Sequence, residues 1–445
     1  MYSRGDFLSR QYGKYVRGGK PNTVKFDMDR EPIAQHPVIR PIVSAFGTLR
    51  RVKHLGKINK VRMEGVRAPY ILLCNHNAFY DFYVMMSAIK PDRGIFPAAV
   101  DDYIGREEIL RHLGGVPKRK YTADISVLRQ CRNALKDGLI FGIYAEARYS
   151  LCGVTEVIPD AVGQLLKHQK VPVVTLTCRG HHIYDPFWGN HHHRNVIPVQ
   201  ADMTLAFTPE ELKEASVDEI NAKIRELLYN DDFRWQSENR VKVTYKKRAE
   251  GLHKVLYQCP HCMAEYQTDS KDDTVFCKSC GKKWTLNYYG ELEASDGNTE
   301  FKFPTDWYKW ERENVKKEVC EGRYYFESPV DVNDLPNAKG FVHMGHGTLV
   351  HDMTGFHLKG IREYDNAPFS MDIDAAGQYA VHVEYAYRFG KFRDCIDLNT
   401  MEDTWYVFPE KEDFSLTKIS LATEEIFNEI WRKRKEERES KKRGE

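Results

Sequence analysis

Three short apolar runs, separated by amphipathic stretches, constrain the fold of this chain more than any other feature of its sequence. The runs cover residues 70–74 (YILLC), 139–145 (LIFGIYA) and 171–177 (VPVVTLT). Between them, the apolar residues of segments 78–90 and 124–137 recur at three- and four-residue steps, as on one face of a helix. Runs that are apolar throughout are typical of strands buried on both sides. The alternation therefore predicts an α/β fold, a layered and partly parallel sheet with flanking helices.

The rest of the chain divides into further segments. A cysteine-rich module covers residues 251–293, and residues 296–430 are rich in Trp, Tyr and Phe, with alternating stretches such as YAVHVEYAYRF. The second of these segments predicts a C-terminal α+β domain of mainly antiparallel strands, to which no function is assigned. The charge run 431–445 predicts a solvated helical tail. In front of these segments lie the α/β domain, residues 61–248, and a basic N-terminal segment, residues 1–60.

Charge is distributed unevenly along the chain. The 66 Lys and Arg residues nearly balance the 64 Asp and Glu residues, so we do not expect nucleic acid as a partner. Residues 1–67, in contrast, contain 15 basic and five acidic residues, a net charge of +10. Apolar residues recur there at helical spacing between Ile39 and Leu49. The pattern predicts a basic amphipathic helix, which either lies on an anionic membrane surface or covers the neighbouring domain.

Several classes of protein are excluded by composition. No apolar run approaches the roughly 18 residues that a membrane-spanning helix needs, and the N-terminal residues are too polar for a signal peptide. The ten cysteines are too few for a disulfide scaffold. We therefore expect a cytoplasmic protein that associates peripherally with a membrane.

The densest polar feature of the α/β domain is the segment NHNAFYD, residues 75–81, directly after the first apolar run. His76 stands at the end of a predicted strand, and Asp81 follows five residues later, so the two side chains can meet across the turn. The carboxylate would then fix the imidazole tautomer and leave the other ring nitrogen as a general base. Because no G-x-S-x-G nucleophile elbow occurs, this pair suits the deprotonation of a substrate hydroxyl. The alternative is a structural turn without catalytic function.

Three further segments follow His76 and Asp81 in order: LGGVPKRK (113–120), IYAEARYSLCG (143–153) and VPVV (171–174). Together with NHNAFYD, they resemble the four sequence blocks of the glycerolipid acyltransferase family, the group that contains the 1-acyl-sn-glycerol-3-phosphate acyltransferases. The resemblance covers residues 61–199, somewhat under a third of the chain. It implies that residues 61–248 form an acyltransferase domain.

The resemblance also implies a reaction. His76 would act as general base on the acceptor hydroxyl, with Asp81 orienting its ring. The acceptor oxygen would attack an acyl thioester, acyl-CoA or acyl carrier protein, without a covalent acyl-enzyme. The product of a 1-acylglycerol 3-phosphate acceptor would be phosphatidic acid, a step of phospholipid biosynthesis.

Acceptor binding is implied for residues of the second and third blocks. Arg119 would lie near the acceptor phosphate, with Lys118 and Lys120 beside it, because a guanidinium offers a fixed fork of donors to phosphate. In the third block the acceptor glycerol phosphate would be oriented by Glu146, Arg148 and Ser150.

The chain departs from the family pattern at several positions. Ala145 and Ala147 replace the Pro and Gly of the third block, and an alanine at a position that needs positive φ is strained by roughly 1 kcal/mol or more. The second block lacks its usual Phe and is about one residue short. These departures leave alternatives open. The acceptor could be glycerol 3-phosphate or another lysophospholipid, or the chain could be a degenerate acyltransferase scaffold that binds a macromolecule.

The cysteine-rich module contains two C-x2-C pairs separated by 14 residues, Cys259 with Cys262 and Cys277 with Cys280. Two such knuckles can place four thiolates around one Zn2+ and so stabilise a module whose own core is small. The module resembles a zinc ribbon, and we expect a structural zinc there and no catalytic metal. A redox dithiol pair or two disulfides are the alternatives, which a reducing compartment disfavours.

Two groups of histidines follow the fourth block, at residues 181–182 and 191–193. Neutral imidazoles bind zinc or nickel, so a metal cluster is one interpretation. The simpler interpretation is a loop near the mouth of the active site.

Overall fold

The computed structural model describes residues 24–34, 41, 55–189, 197, 199–387 and 393–443 of the chain. The amphipathic helix predicted between Ile39 and Leu49 falls almost entirely outside these ranges, and so do the histidines at 191–193. Among the described residues, no helix combines the length and the apolar composition needed to cross a bilayer.

A seven-stranded sheet forms the first part of the structure. Its strands are β1 (Leu55–Val61), β2 (Ile71–Cys74), β3 (Gly94–Ala99), β4 (Gly115–Lys118), β5 (Ile140–Tyr144), β6 (Val173–Arg179) and β7 (Val199–Phe207). The order across the sheet is β1-β7-β6-β2-β5-β3-β4. Strands β6, β2, β5, β3 and β4 are mutually parallel, while β7 is antiparallel to β6 and β1 is parallel to β7. The predicted mixed α/β sheet is therefore present, and the three apolar runs form its centre, β5, β2 and β6.

Helices pack on both faces of this sheet. They are α1 (Asp81–Ala88), α2 (Glu107–His112), α3 (Ile125–Lys136), α4 (Ala161–Gln169), α5 (His181–Tyr184), α6 (Pro209–Glu214), α7 (Val217–Leu228) and α8 (Asp232–Glu238). A short 3-10 helix covers Val100–Tyr103. Alternate residues of β2 enter opposite cores: Ile71 and Leu73 pack with α3, α4 and α7, whereas Leu72 and Cys74 pack with α1. Each face of the strand is therefore covered, as its apolar sequence predicts.

The cysteine-rich module is a small antiparallel sheet of four strands. These are β8 (Thr268–Lys271), β9 (Thr274–Cys277), β10 (Lys283–Leu286) and β11 (Leu292–Ala294), preceded by a 3-10 turn at Leu252–Lys254. The module packs against the next helix, α9 (Pro304–Cys320), through Trp284, whose ring meets that of Trp307 at 4.8 Å. The module thus shares its core with the segment that follows it.

The C-terminal segment contains a second seven-stranded sheet, which is antiparallel as predicted. Its strands are β12 (Phe326–Asn337), β13 (Gly340–Asp352), β14 (Gly355–Ile361), β15 (Pro368–Asp374), β16 (His382–Glu384), β17 (Cys395–Asn399) and β18 (Thr404–Pro409), in the order β15-β14-β13-β12-β18-β17-β16. The last helix, α10 (Leu416–Arg443), packs on α9 and continues into the predicted charged tail.

The two large sheets share a packed interface. Val100 and Ile104, from the first half of the chain, are buried in one apolar cluster with residues of the C-terminal sheet such as Leu335, Tyr406 and Phe408. The C-terminal segment therefore contacts the α/β part directly, next to the end of strand β4.

Candidate functional site

The loop after β2 (residues 75–80, the His76 loop) is fixed to the neighbouring strand β6 by two asparagines. The side chain of Asn75 donates to the Cys178 carbonyl at 2.9 Å and accepts from the Cys178 amide at 2.8 Å. Asn77 donates to the same carbonyl at 3.0 Å. All three residues are buried. The strands β2 and β6 are parallel neighbours, so the carboxyl ends of both are held together at one edge of the sheet.

His76 and Asp81 meet across this loop. The Nδ1 of His76 lies 3.3 Å from Oδ2 of Asp81, and the same oxygen accepts the backbone amides of Asn77 at 2.5 Å and Ala78 at 2.9 Å. A neutral imidazole that donates from Nδ1 to the carboxylate keeps the lone pair on Nε2, the arrangement a general base requires. The spacing of five residues predicted this contact because α1 begins at Asp81 and turns its first side chain back over the loop.

The Asp81 carboxyl is buried and remains ionised. Burial alone raises its pKa, but the charge and hydrogen bond of His181, followed by those of His76, outweigh burial and hold the pKa well below its usual range. His181 binds the other carboxylate oxygen, Oδ1, through its Nδ1. Asp81 therefore carries a negative charge between two imidazoles.

Two tyrosines enclose the His76 imidazole. The ring of Tyr144 stacks on it at 3.8 Å between centroids, and the ring of Tyr149 lies 4.1 Å away at 40°. The side chain of His76 is 15% exposed. Phe187 extends this aromatic surface, since its ring contacts Tyr149 at 5.5 Å and Tyr385 of the C-terminal segment at 5.7 Å. The site is thus partly screened from water and bordered by both halves of the molecule.

The loop after β5 (residues 145–153, the Glu146 loop) joins the back of the His76 loop. Glu146 accepts the His76 amide at 3.0 Å and the Glu156 amide at 2.7 Å, and Ser150 donates its own amide to the His76 carbonyl at 2.7 Å. The Ser150 hydroxyl donates to the Val154 carbonyl at 2.8 Å. Burial raises the pKa of Glu146 to about 8, against the opposing effect of the two amide hydrogen bonds. Glu146 and Ser150 therefore position the backbone of His76.

Arg148 lies in a buried network of ion pairs. Its guanidinium binds Glu156 at 2.7 Å and Glu424, from helix α10, at 2.5 Å, and it also donates to the Ser420 hydroxyl. Burial lowers the pKa of this guanidinium, but the charges of Glu156 and Glu424 outweigh burial and raise it well above its usual range. Two carboxylates thus already compensate the cation that the sequence assigns to the acceptor.

Two of the three basic residues at 118–120 contact the C-terminal sheet. Lys118 donates to the carbonyl of Thr122 at 2.5 Å, Arg119 donates to the Thr404 hydroxyl at 2.6 Å, and Lys120 pairs with Asp397 at 2.7 Å. Burial lowers the pKa of Lys118 to about 8. Within the described part of the chain, none of the three is hydrogen bonded to His76 or Asp81. The structure therefore joins His76, Asp81, Glu146 and Ser150 directly and reaches Arg148 through Glu156.

Ala147 has a φ of +57°, in the left-handed region. The position that carries glycine in the family pattern therefore does need positive φ here, and the alanine bears the strain that the sequence led us to expect.

Three contributors to the site were not predicted. The sequence predicts a metal or loop role for His181 and no role for Tyr144 and Tyr149. One signal was available: His181 follows the third apolar run, and the end of a strand parallel to β2 lies beside His76. The donor atoms of Asp81, Cys178 and His181 lie within 4.8 Å of one another.

The four cysteines of the ribbon-like module converge on one point. Their sulfurs all lie within 4.8 Å of one another, with Cys259 and Cys280 3.8 Å apart and Cys262 and Cys277 3.7 Å apart. Four sulfurs bound tetrahedrally to zinc, at bond lengths of about 2.3 Å, lie about 3.8 Å from one another. The donor set and its spacing therefore fit a single zinc ion.

The two knuckles have matching backbone geometry. The residue after the second cysteine has positive φ in both, +64° at Met263 and +76° at Gly281, and its amide donates to the carbonyl of the first cysteine at 2.9 Å. Backbone amides also point at the sulfurs, such as that of Ala264 at Cys262 and that of Lys282 at Cys280. Such amides stabilise thiolate charge, which a metal site requires.

Comparison with known proteins finds little similarity in sequence or structure. No protein-family model matches the chain, and no curated protein sequence matches it. Among solved structures, the 1-acyl-sn-glycerophosphate (LPA) acyltransferase PlsC from Thermotoga maritima is similar to part of this chain, with 18% sequence identity and a TM-score of 0.33. The match covers 42% of this chain and 76% of that chain. A likeness this distant establishes neither a family nor an activity for the chain.

Proposed function

We propose that this chain is an O-acyltransferase, which moves a fatty acyl group from acyl-CoA or acyl carrier protein to the free hydroxyl of 1-acylglycerol 3-phosphate and so forms phosphatidic acid. The observation that carries the proposal is the His76–Asp81 pair at the carboxyl edge of the sheet, with the Nε2 of His76 left to accept a proton. The order of the four sequence blocks around this pair supports the same reaction.

The proposed step needs only these two side chains. His76 Nε2 takes the proton of the acceptor hydroxyl while the hydroxyl oxygen attacks the thioester carbon. The carbon–sulfur bond then breaks, and the leaving thiolate receives the proton from Nε2, which returns His76 to its neutral form. Asp81 stabilises the imidazolium between these events. General base catalysis of this kind contributes about 100- to 10,000-fold in rate.

Transfer without an acyl-enzyme is supported by the thiols near the site. Cys74 and Cys178 are buried at the ends of β2 and β6, and burial raises the pKa of each thiol well above its usual range. Since the thiolate is the nucleophilic form, neither cysteine suits an acyl intermediate.

The acceptor-binding residues stay proposals, and the contacts distinguish between them. We place Arg119 nearest the acceptor phosphate, because its Nε is buried and has no hydrogen-bond partner among the described residues. Lys118 would assist it. Arg148, whose charge is already paired with two glutamates, would act with Glu146 and Ser150 by fixing the His76 loop.

The test is transfer of radiolabelled acyl groups to 1-acylglycerol 3-phosphate by the full chain. We expect His76→Ala to lower the rate at least about 100-fold. His168→Ala is the matched control, because His168 is exposed on α4, and it should transfer at the wild-type rate. Equal rates for His76→Ala and wild type would rule out the base assignment, and a panel with glycerol 3-phosphate and other lysophospholipids identifies the acceptor.

A second candidate is a scaffold built on a degenerate acyltransferase fold, whose ribbon binds a macromolecule. The positive φ of Ala147 and the paired state of Arg148 favour it. No transfer to any acceptor of the panel, by a folded wild-type chain, would favour the scaffold over the enzyme.

A further inference from the structure

The Asp81 carboxylate is shared by two histidines. Its Oδ2 accepts from the backbone amides of the His76 loop and lies 3.3 Å from His76 Nδ1, whereas its Oδ1 is hydrogen bonded to Nδ1 of His181. Both oxygens of the carboxylate are therefore bound by an imidazole. A catalytic pair of His76 and Asp81 would need only the contact with His76.

The turn after β6 places His181 at this carboxylate. Gly180 has a φ of +85°, and a Cβ built on it would lie 2.6 Å from the ring of Trp235, so the turn requires glycine. The backbone amide of Gly180 is bound by Asp232 at 2.7 Å. Because Asn75 and Asn77 tie the His76 loop to Cys178 in the same strand, His76 and His181 are held on one framework.

Among the described residues, the hydrogen bond to Asp81 is the one polar contact of the His181 side chain. The residue is 1% exposed, and its Nε2 has no hydrogen-bond partner among the described residues. The imidazole and the Tyr80 ring form a T-shaped pair, with 6.0 Å between centroids and an interplanar angle of 88°. An imidazole buried with one nitrogen unpartnered is unfavourable by about 1–3 kcal/mol, so a compensating function is expected.

We propose that His181 is a positioning residue of the acyl-transfer site, which shares the Asp81 carboxylate with His76, holds that carboxylate in place and limits the negative charge it gives to His76. A carboxylate that gives one oxygen to a second imidazole is a weaker partner for the first. Loss of His181 should therefore strengthen the hold of the Asp81 carboxylate on a proton at His76. The catalytic consequence rests on the proposed function, whereas the shared hydrogen bond does not.

Other titratable groups face the two imidazoles. Burial raises the pKa of Tyr144, Tyr149, Cys74 and Cys178, so these four groups are neutral near pH 7. Burial also raises the pKa of Asp232 to about 6 and that of Glu146 to about 8. Among the described residues, the groups packed around the pair include Cys74, Tyr80, Tyr144, Glu146, Tyr149, Cys178 and Asp232.

The direct test is the titration of the His76 imidazole, followed by the NMR signal of its Cε1, which the loss of that signal in His76→Asn assigns. His181→Leu removes the donor to Oδ1 and should raise the midpoint by about one pH unit. His181→Asn places an amide where Nδ1 lies and should keep the midpoint near that of wild type. His181→Gln places its amide where Nε2 lies, away from Oδ1, and should behave like His181→Leu. His181→Gln therefore replaces His181→Leu in the titration if the leucine variant does not fold.

Kinetics provide the second readout. In acyl transfer, we expect His181→Leu to lower kcat about 10- to 100-fold with little change in KM, and to move the acidic limb of the pH profile upward by the same amount as the NMR midpoint. His181→Asn should restore most of the rate. A residue needed only for folding would lower the amount of active protein and leave both the limb and the midpoint where they are.

The outcomes separate the two proposals. An unchanged His76 midpoint in both His181→Leu and His181→Gln overturns the inference, even if acyl transfer depends on His76. A shifted midpoint in a chain that transfers no acyl group supports the shared carboxylate and rejects the proposed function. A metal ion held by wild type in addition to that of the cysteine cluster, and lost from His181→Leu, would also overturn the inference.

Discussion

At the scale of single residues, Ala147 is a position where the backbone is strained. It adopts a φ of +57° between Glu146 and Arg148, both of which are held by buried hydrogen bonds. The left-handed region is unfavourable for an L-residue with a Cβ by about 1–2 kcal/mol. The neighbouring contacts are strong enough to keep the backbone there, which preserves the Glu146 contact with the His76 amide.

Ala147→Gly should therefore stabilise the fold. Glycine removes the strain at positive φ but enlarges the freedom of the unfolded chain, so we expect a net gain of about 0.5–1 kcal/mol. The measurement is the midpoint of thermal unfolding, followed by near-ultraviolet circular dichroism. The matched control is Ala222→Gly, at an exposed position inside α7, which should lower the midpoint through a loss of about 1 kcal/mol. A fall in the midpoint for both variants would contradict the strain at Ala147.

The sequence predicts residue contacts well only when they are local. The His76–Asp81 contact follows from five residues of spacing and one turn. The His181–Asp81 contact spans 100 residues and depends on β6 lying next to β2, a pairing that periodicity does not reveal. Likewise, the ion pair of Arg148 with Glu424, which lies 276 positions further along the chain, leaves no local signal in the sequence.

At the scale of elements, the cysteine knuckles and the strands of their sheet depend on one another. Cys277 is the last residue of β9, and the second knuckle, Cys277 to Cys280, connects β9 to β10. The knuckles are therefore directly joined to a sheet of short strands. A four-stranded sheet of three or four residues per strand has a small core of its own. A bound zinc would supply the missing stability.

We therefore expect about one zinc per chain, lost on substitution Cys277→Ser. Loss of the ion should unfold the module and change the fluorescence of Trp284, which is buried against Trp307. The measurements are metal content by mass spectrometry and tryptophan emission, before and after a chelator. Cys320→Ser is the matched control, because Cys320 is exposed and lies outside the cluster, and it should keep the zinc. A chain that binds no zinc and keeps its emission spectrum in chelator would refute a structural metal.

The strands that the sequence predicts are those buried on both faces. β2, β5 and β6 form the centre of the first sheet and are apolar along most of their length. β7 alternates buried and half-buried residues, and the edge strand β1 reads LGKINKV, with lysines typical of a protected edge. β3 and β4 contain Gly and Pro, which sequence patterns assign to turns.

At the scale of the whole molecule, the C-terminal segment binds most of the cations that the sequence assigns to an acceptor phosphate. Arg119 contacts Thr404, Lys120 contacts Asp397, and Arg148 contacts Glu424. The C-terminal segment therefore borders the α/β domain at these three cations, and the proposed acceptor binding would use residues that also pack against this segment. Sequence periodicity cannot predict such an interface, since each contact joins residues more than 250 positions apart.

The whole chain has a net charge of +2, but residues 1–67 alone have a net charge of +10. We propose that this segment attaches the protein peripherally to anionic membranes, where a lysophospholipid acceptor resides. Each Lys or Arg near an anionic surface contributes about 1 kcal/mol, and this attraction falls off within a Debye length of about 10 Å at 0.1 M salt. Binding to vesicles should therefore depend on both anionic lipid and ionic strength.

Sedimentation with vesicles of phosphatidylglycerol and phosphatidylcholine tests the attachment. We expect the bound fraction to fall when salt rises from about 50 to about 500 mM, because the Debye length then shortens about threefold. It should also fall when phosphatidylglycerol is omitted. Arg50→Glu with Arg51→Glu should weaken binding further, because the change of charge lies in the basic segment. The same change of charge at Lys435 and Lys441, both exposed on α10, is the matched control and should leave binding as in wild type. Equal losses for the two pairs would indicate that only the net charge matters. Salt-independent binding would favour the other role predicted from the sequence, a helix that covers the neighbouring domain.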